Sequence, residues 1–121
     1  MRALLFLALS LLLARGILTE LIRYFYHRPR PFLVLDFEPL IEKMNQGALP
    51  SGHAAFYFAL AGAIFFLNRR SGWYFLIGAS AVGFGRVLVG VHWPLDIVIG
   101  ALAGLLSAYL VQLLFNRHQA D

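Results

Sequence analysis

The sequence predicts an all-α integral membrane protein: a bundle of about four transmembrane helices with a short amphipathic helix at the interface. Three observations carry that expectation. Of 121 residues, 60% are hydrophobic and 13% charged, where a soluble domain has roughly 25% charged residues. The mean hydropathy is +0.74. The apolar residues also gather into four runs, and a span needs about 20 such residues. The length suits one domain, taken as residues 1–121.

The first run covers about Ala3–Tyr26 and carries Arg15, Glu20 and Arg23. Its start, Met1-Arg2 before an apolar stretch, also fits a signal peptide. No A-x-A cleavage pattern follows, however, and the hydrophobic pattern continues to Tyr26, so a retained helix is expected. The long connection His27–Pro50 comes next. Phe37, Leu40, Ile41 and Met44 recur there at helical spacing, Asp36 can cap them, and Pro39 is tolerable in a first turn. That pattern predicts the interfacial amphipathic helix.

The second run opens at Ser51 and ends at Leu67; it is short enough to suit a buried helix as well as a span. The basic turn Asn68-Arg69-Arg70-Ser71-Gly72 leads into the third, about Trp73–Val91, whose one charge is Arg86. Almost no loop separates it, around Gly90–Trp93, from the fourth, about Pro94–Phe115. Gly100 and Gly104 form a G-x-x-x-G pair that lets another helix approach closely. Packing inside the bundle is the preferred reading and a homodimer face the alternative. Gly78, Gly83 and Gly85 are expected to serve similar packing.

Four spans put both chain ends on one side with Arg2, Arg69, Arg70 and Arg117, and leave Arg23, Arg28, Arg30 and Lys43 on the other. The positive-inside count therefore ties. Arginines that hold substrate are poor topology markers, so the polar clusters are expected on the outer face. Trp73 and Tyr74 at one surface, with Tyr24, Tyr26 and Trp93 at the other, would make the aromatic belts. Cysteine is absent, which excludes disulfides, thiolate metal sites and cysteine nucleophiles. The net charge is +4. Its basic residues lie at helix ends and in short loops, which points to anionic lipid or a phosphorylated lipid and not to nucleic acid.

Three polar clusters interrupt the apolar runs: Arg23 with Arg30-Pro31, Pro50-Ser51-Gly52-His53, and Arg86, His92, Asp96. Ionisable groups at membrane depth are costly and mark candidate sites. The predicted topology brings all three to one end of the bundle. Ser51 and Gly52 open a helix, whose unpaired N–H groups bind anions readily, and His53 follows in the first turn. A plain helix cap with an interfacial histidine is the bland alternative. His92 and Asp96 stand four apart and share a face if the last helix starts beside them. The carboxylate would then fix the imidazole tautomer and leave the other nitrogen as a nucleophile. A buried structural pair or a metal pair are the alternatives, and two well-placed histidines without a further carboxylate disfavour metal. Arg86 would reach the same place through a break at Gly90. Arginine forks match phosphate oxygens, although Arg23 can also pair with Glu20, and Arg28 and Arg30 can touch headgroups.

These residues, in this order, resemble the type 2 phosphatidic acid phosphatase superfamily. Its signature is Lys, six residues, Arg-Pro; then Pro-Ser-Gly-His; then Ser-Arg, five residues, His, three residues, Asp. Here Arg23, six residues, Arg30-Pro31 replaces lysine by arginine, Pro50–His53 matches unchanged, and Gly85-Arg86, five residues, His92, three residues, Asp96 replaces serine by glycine. The resemblance covers about residues 20–105 and implies a membrane lipid phosphatase that needs no metal or other cofactor. It implies His92 as nucleophile, Asp96 as its orienting carboxylate, His53 as acid and base, and Arg23, Arg30, Ser51, Gly52 and Arg86 as the phosphate cradle. Family members commonly have six membrane helices, and this chain corresponds to the last four. The runs around Arg28–Phe32 and Val89–Asp96 look like the bacterial undecaprenyl diphosphate phosphatases, with Arg28 as an extra contact for a second phosphate and an inner-membrane location. Phosphatidate and phosphatidylglycerol phosphate are alternative substrates. An inactive lipid-binding relative and a small channel are the competing classes. The matching His53, His92 and Asp96 weigh against the first, and the gathering of the clusters at one face against the second.

Overall fold

The computed structural model describes residues 1–40 and 47–120, and no strand occurs among them. The chain runs α1 (Arg2–Phe25), α2 (Pro31–Val34), α3 (Gly52–Leu67), α4 (Arg69–Leu88) and α5 (Pro94–Ala120). Among the described residues two helices, α1 and α5, are long and apolar enough to cross a membrane. The apolar α3 has 16 residues and rises about 24 Å, short of a hydrocarbon core of about 30 Å. With 20 residues, α4 reaches about 30 Å, but it opens on Arg69-Arg70 and carries Arg86 near its end.

The packing is the reverse of a soluble core. Buried positions are held by small residues, among them Ala14, Ala54, Ala55, Ala59, Ala63, Ala103, Ser107 and Ala108, while Leu4, Leu12, Ile17, Phe84, Leu102 and Tyr109 point outward. Lipid offers no hydrophobic gain for burying leucine, so helices associate through close backbone approach. The central helix is α3, packed chiefly on α5 and then on α4, and α1 lies over both α5 and α3. The G-x-x-x-G pair works inside the bundle, as the sequence suggested: a Cβ on Gly100 would lie 2.6 Å from the Ser51 carbonyl oxygen, and one on Gly104 would lie 2.5 Å from that of Ala55. Phe6, Ala63, Ala108 and Val111, with Leu7, Leu13 and Phe115 beside them, fill the end of the bundle away from the polar clusters. A cavity of about 340 Å³ at that end is lined by Arg2, Leu67 and Asn116, which places the start of α1 with the ends of α3 and α5.

Several expectations need correction. Residues Leu12–Leu18 of α1 form a π-helical stretch, which hydrophobic periodicity alone did not reveal. Thr19 secures it: its hydroxyl and its backbone N–H both donate to the Ala14 carbonyl, the former at 2.8 Å. The expected amphipathic helix is not seen at Phe37–Leu40, where the chain is irregular, and Ile41, Lys43 and Met44 lie outside the described residues. A single turn forms earlier instead, at α2, because Pro31 presets the first helical position. The turn after α3 shrinks to Asn68, whose side chain accepts from the Ser71 N–H at 3.0 Å and so starts α4 at Arg69. The last helix runs five residues past Phe115, with Gln112 donating to Asn116 at 3.0 Å along its polar end. Of the three packing glycines on α4, Gly83 meets Ile97 of α5, whereas Gly78 and Gly85 face open space.

A branched side chain at Gly104 should cost about 1–3 kcal/mol through backbone displacement. Gly104→Val should therefore lower the unfolding temperature in detergent, and Gly78→Ala should leave it unchanged or slightly raised. Thermal unfolding monitored by size-exclusion chromatography separates the two.

Candidate active site

Four helix termini meet at the other end of the bundle: the ends of α1 and α4 and the starts of α3 and α5. The start of α3 is built by Ser51, whose hydroxyl oxygen accepts from the Ala54 N–H at 3.2 Å while its own N–H donates to the Asp96 carbonyl at 3.0 Å. That arrangement satisfies the cap and leaves the Gly52 and His53 amides with no acceptor inside the helix. The break between α4 and α5 is equally local. Gly90 takes φ +85, open to glycine at no steric cost, and a Cβ there would collide with the Phe37 ring. The reversal turns Val91 and His92 back over the end of the bundle, as the sequence suggested.

His92 is buried and held from both sides. Its Nδ1 lies 3.3 Å from Asp96 Oδ2, and its Nε2 lies 3.2 Å from Arg30 Nη1. A guanidinium can only donate, so Nε2 is the acceptor and the proton sits on Nδ1, donated to Asp96. The tautomer follows from the partners. Asp96 Oδ2 also accepts from the Trp93 N–H at 2.8 Å, and Oδ1 faces Arg28 Nε at 3.7 Å. Burial pushes the His92 pKa below its usual 6.5, against the opposing hydrogen bond to Asp96. The ring is therefore neutral at pH 7, with a lone pair on Nε2.

The arginines divide by what they touch. Arg30 is buried and donates to the carbonyls of Val91 at 2.9 Å and Gly47 at 3.3 Å. Burial lowers its pKa to about 10, and the neighbouring Arg23 and Arg86 push the same way, so it stays charged at neutral pH. Arg23 reaches the Pro50 carbonyl at 3.3 Å and Glu20 at 3.5 Å, so it serves both the cluster and the ion pair. Arg86, near the end of α4, is close enough for its charge to help lower the pKa of both Arg30 and His92. Arg28 does not reach the cavity wall: it pairs with Asp96 and lies over the Trp93 ring, 5.7 Å from its centre. Trp93 in turn donates through Nε1 to the Pro29 carbonyl at 2.9 Å, pinning the loop.

A cavity of about 220 Å³ opens beside them, and its walls include Arg23, Gly52, His53 and His92, whereas Arg86, like Arg28, is not part of its lining. Both histidines therefore open on one space. Arg30 and Asp96 stand behind His92, Ser51 is buried in the cap, and Phe56 and Tyr57 supply an apolar side. The remaining wall residue, Arg15, was not expected there; it had been read only as part of the first apolar run. Its guanidinium lies against Gly52, where a Cβ would come within 2.8 Å of Nε. An arginine at membrane depth was the available signal. The set combines a neutral imidazole with a fixed tautomer, a second imidazole, helix-start amides and several guanidinium groups, which suits displacement at a phosphorus centre.

The bacitracin transport permease protein BcrC of Bacillus licheniformis is 41% identical over 83 residues, 68% of this chain and 41% of that protein. The undecaprenyl-diphosphatase BcrC of Bacillus subtilis is 34% identical over 101 residues, 84% of this chain and 50% of that protein. The chain thus spans about half the length of these relatives. The crystal structure of Aquifex aeolicus LpxE superposes with a TM-score of 0.80 at 26% identity, covering 92% of this chain and 67% of that one. The PAP2 superfamily model matches residues 3–120. With Arg23, His53 and His92 drawn from distant stretches onto one cavity and that match running along nearly the whole sequence, the chain belongs to the PAP2 superfamily, the type 2 phosphatidic acid phosphatases.

Proposed function

We propose that the chain hydrolyses a lipid phosphate, with undecaprenyl diphosphate as substrate, by way of a phosphohistidine and without metal. The observation that carries this reading is the Nε2 lone pair of His92, directed by Asp96 and set among guanidinium groups at a cavity shared with His53. Nε2 attacks the terminal phosphorus, and the departing oxygen takes a proton from His53. His53 then removes a proton from water as it attacks the phosphohistidine, and inorganic phosphate leaves. Arg23, Arg30, Arg86, Ser51 and the Gly52 amide hold the phosphoryl oxygens as charge shifts. Asp96 stabilises the imidazolium character that develops on His92. The neutral Nε2 is a weaker acceptor than a phosphate oxygen, so Arg30 passes its Nη1 donor to the substrate and uncovers the nucleophile as it does so.

The chain is a single membrane domain of four membrane helices on this reading, α3 and α4 completing the set begun by α1 and α5. It corresponds to the last four helices of the family core, and two copies could associate. Arg2, Arg69, Arg70 and Arg117 mark the cytoplasmic end once the site arginines are set aside as substrate ligands. The pocket then opens at the outer face of the bacterial inner membrane.

Three outcomes test the mechanism. The full chain in detergent with a chelator should release phosphate from undecaprenyl diphosphate, and activity that disappears with the chelator would refute the metal-free route. His92→Ala should lower kcat by roughly 10⁴-fold or more, and acid-labile radiolabel trapped from substrate should vanish with it. Asp96→Asn should cost roughly 10²–10⁴-fold. The pH profile carries a sign as well. Because burial holds His92 below 6.5 and protonation silences it, the acid limb of kcat/KM should have its midpoint below 6.5. Removing the Asp96 charge removes an influence that raises that pKa, so the limb should move further down in Asp96→Asn.

A further inference from the structure

We propose that Arg15 is the ligand for the leaving phosphate of a diphosphate substrate, delivered into the cavity by the π-helical stretch Leu12–Leu18. This rests on the diphosphate phosphatase reading above. Arg15 and Arg23 are eight residues apart, which on a regular α-helix turns them roughly 80° away from each other. A π-helical residue advances by less, roughly 80° in place of 100°, so the four steps from Arg15 to Thr19 take back about that angle. Both guanidinium groups consequently reach one side of the helix. Glu20 Oε1 accepts from both, at 2.9 Å from Arg15 and 3.5 Å from Arg23, and both line the cavity with His53 and His92.

A structural brace is the simpler explanation for Arg15, and its placement disfavours it. The pair with Glu20 answers part of its charge, yet the Arg15 side chain keeps 40% of its surface uncovered, and its guanidinium lies against Gly52 on the cavity wall. An arginine in the middle of an apolar helix is costly and marks a site. Position supplies the rest. Arg15 enters α1 about 12 Å nearer the bilayer centre than Arg23. In a lipid diphosphate the terminal phosphate faces His92 and Arg30, and the phosphate attached to the tail lies on the bilayer side, toward Arg15. When Nε2 bonds to the terminal phosphorus, the bridging P–O bond breaks and its electron pair goes to the oxygen of the lipid monophosphate, which takes the His53 proton. Arg15 stands where that second phosphate leaves. A monophosphate ester departs as an alcohol and gives Arg15 nothing to hold.

Farnesyl diphosphate and farnesyl monophosphate share one tail and separate these roles. With the full chain in detergent, Arg15→Gln should lower kcat/KM for the diphosphate by roughly 30–100-fold, near the low end of losses from removing one transition-state donor. The monophosphate should fall by less than about 3-fold, so its turnover also reports that the variant is folded. Arg15→Lys, which keeps the charge beside Glu20 but loses the fork, should fall between wild type and Arg15→Gln on the diphosphate alone, and it decides the matter if Arg15→Gln does not fold. Equal losses on the two substrates, or no loss on either, would overturn the assignment. A wild-type chain that releases phosphate neither from these compounds nor from undecaprenyl diphosphate would remove the phosphatase reading itself, and this inference with it.

Discussion

Asp96 is wholly buried in the first turn of α5, and groups from three parts of the chain converge on it. Its backbone carbonyl receives the Ser51 N–H, Oδ2 receives the His92 ring and the Trp93 N–H, and Oδ1 faces Arg28. A buried carboxylate costs several kcal/mol unless its charge and lone pairs are answered. The carboxylate is answered by the loop before α5 at Oδ2 and by Arg28 of the loop after α1, 3.7 Å from Oδ1, while the start of α3 is held by the main-chain carbonyl of the same residue. One residue therefore fixes the relative placement of the phosphate cradle and the nucleophile. Removing its charge disturbs the site and the fold around it together.

Close helix contact makes that convergence possible. Gly100 is one turn beyond Asp96 on α5 and rests against Ser51 and Ala54, so the small residue and the carboxylate dock the same helix start. A larger residue at Gly100 would lift Ser51 away from the Asp96 carbonyl. Away from the site, the alanine and glycine faces of α3 and α5 continue the contact, and the bulky side chains turn outward. The helices gain dispersion and backbone proximity where a soluble bundle would gain from burying leucine. The fold's stability and the site's geometry thus draw on one interface.

Much of this was legible in the sequence. Pro50-Ser51-Gly52-His53 announced a capped helix start, and Ser51 caps it. Gly90 announced a break between Arg86 and His92, and its positive φ makes one. The spacing of His92 and Asp96 pointed to their contact through a shared helix face, but the helix starts only at Pro94 and His92 meets the carboxylate from the loop before it. What escaped were features that depend on three-dimensional competition. A π-helical stretch leaves no periodic trace over seven residues, and its lock, Thr19, reads like any helix threonine. The sequence offered Arg28 for the second phosphate and gave Arg15 no place in the site; the fold gives Arg28 a buried carboxylate and a tryptophan face, and gives Arg15 the cavity. The chain before Arg30 is also pinned by Trp93 Nε1 at Pro29, a long-range bond that no local pattern encodes.

The partners of Arg30 explain how a reactive nitrogen can be kept in a resting site. A neutral imidazole nitrogen with an exposed lone pair would be solvated or protonated, and either state delays attack. Here the lone pair is occupied by Arg30 Nη1, which also holds Val91, while Nη2 holds Gly47. The two carbonyl bonds keep the guanidinium in place when the contact to His92 is given up, so the arginine need not travel to change partners. An incoming phosphate oxygen carries charge, and charge-assisted hydrogen bonds are roughly twice as strong as neutral ones. Exchange of a neutral nitrogen for that oxygen is therefore favourable only when substrate is present. Lysine in place of Arg30 would have one nitrogen to divide among these acceptors, which accounts for a fork at this position and not a point charge.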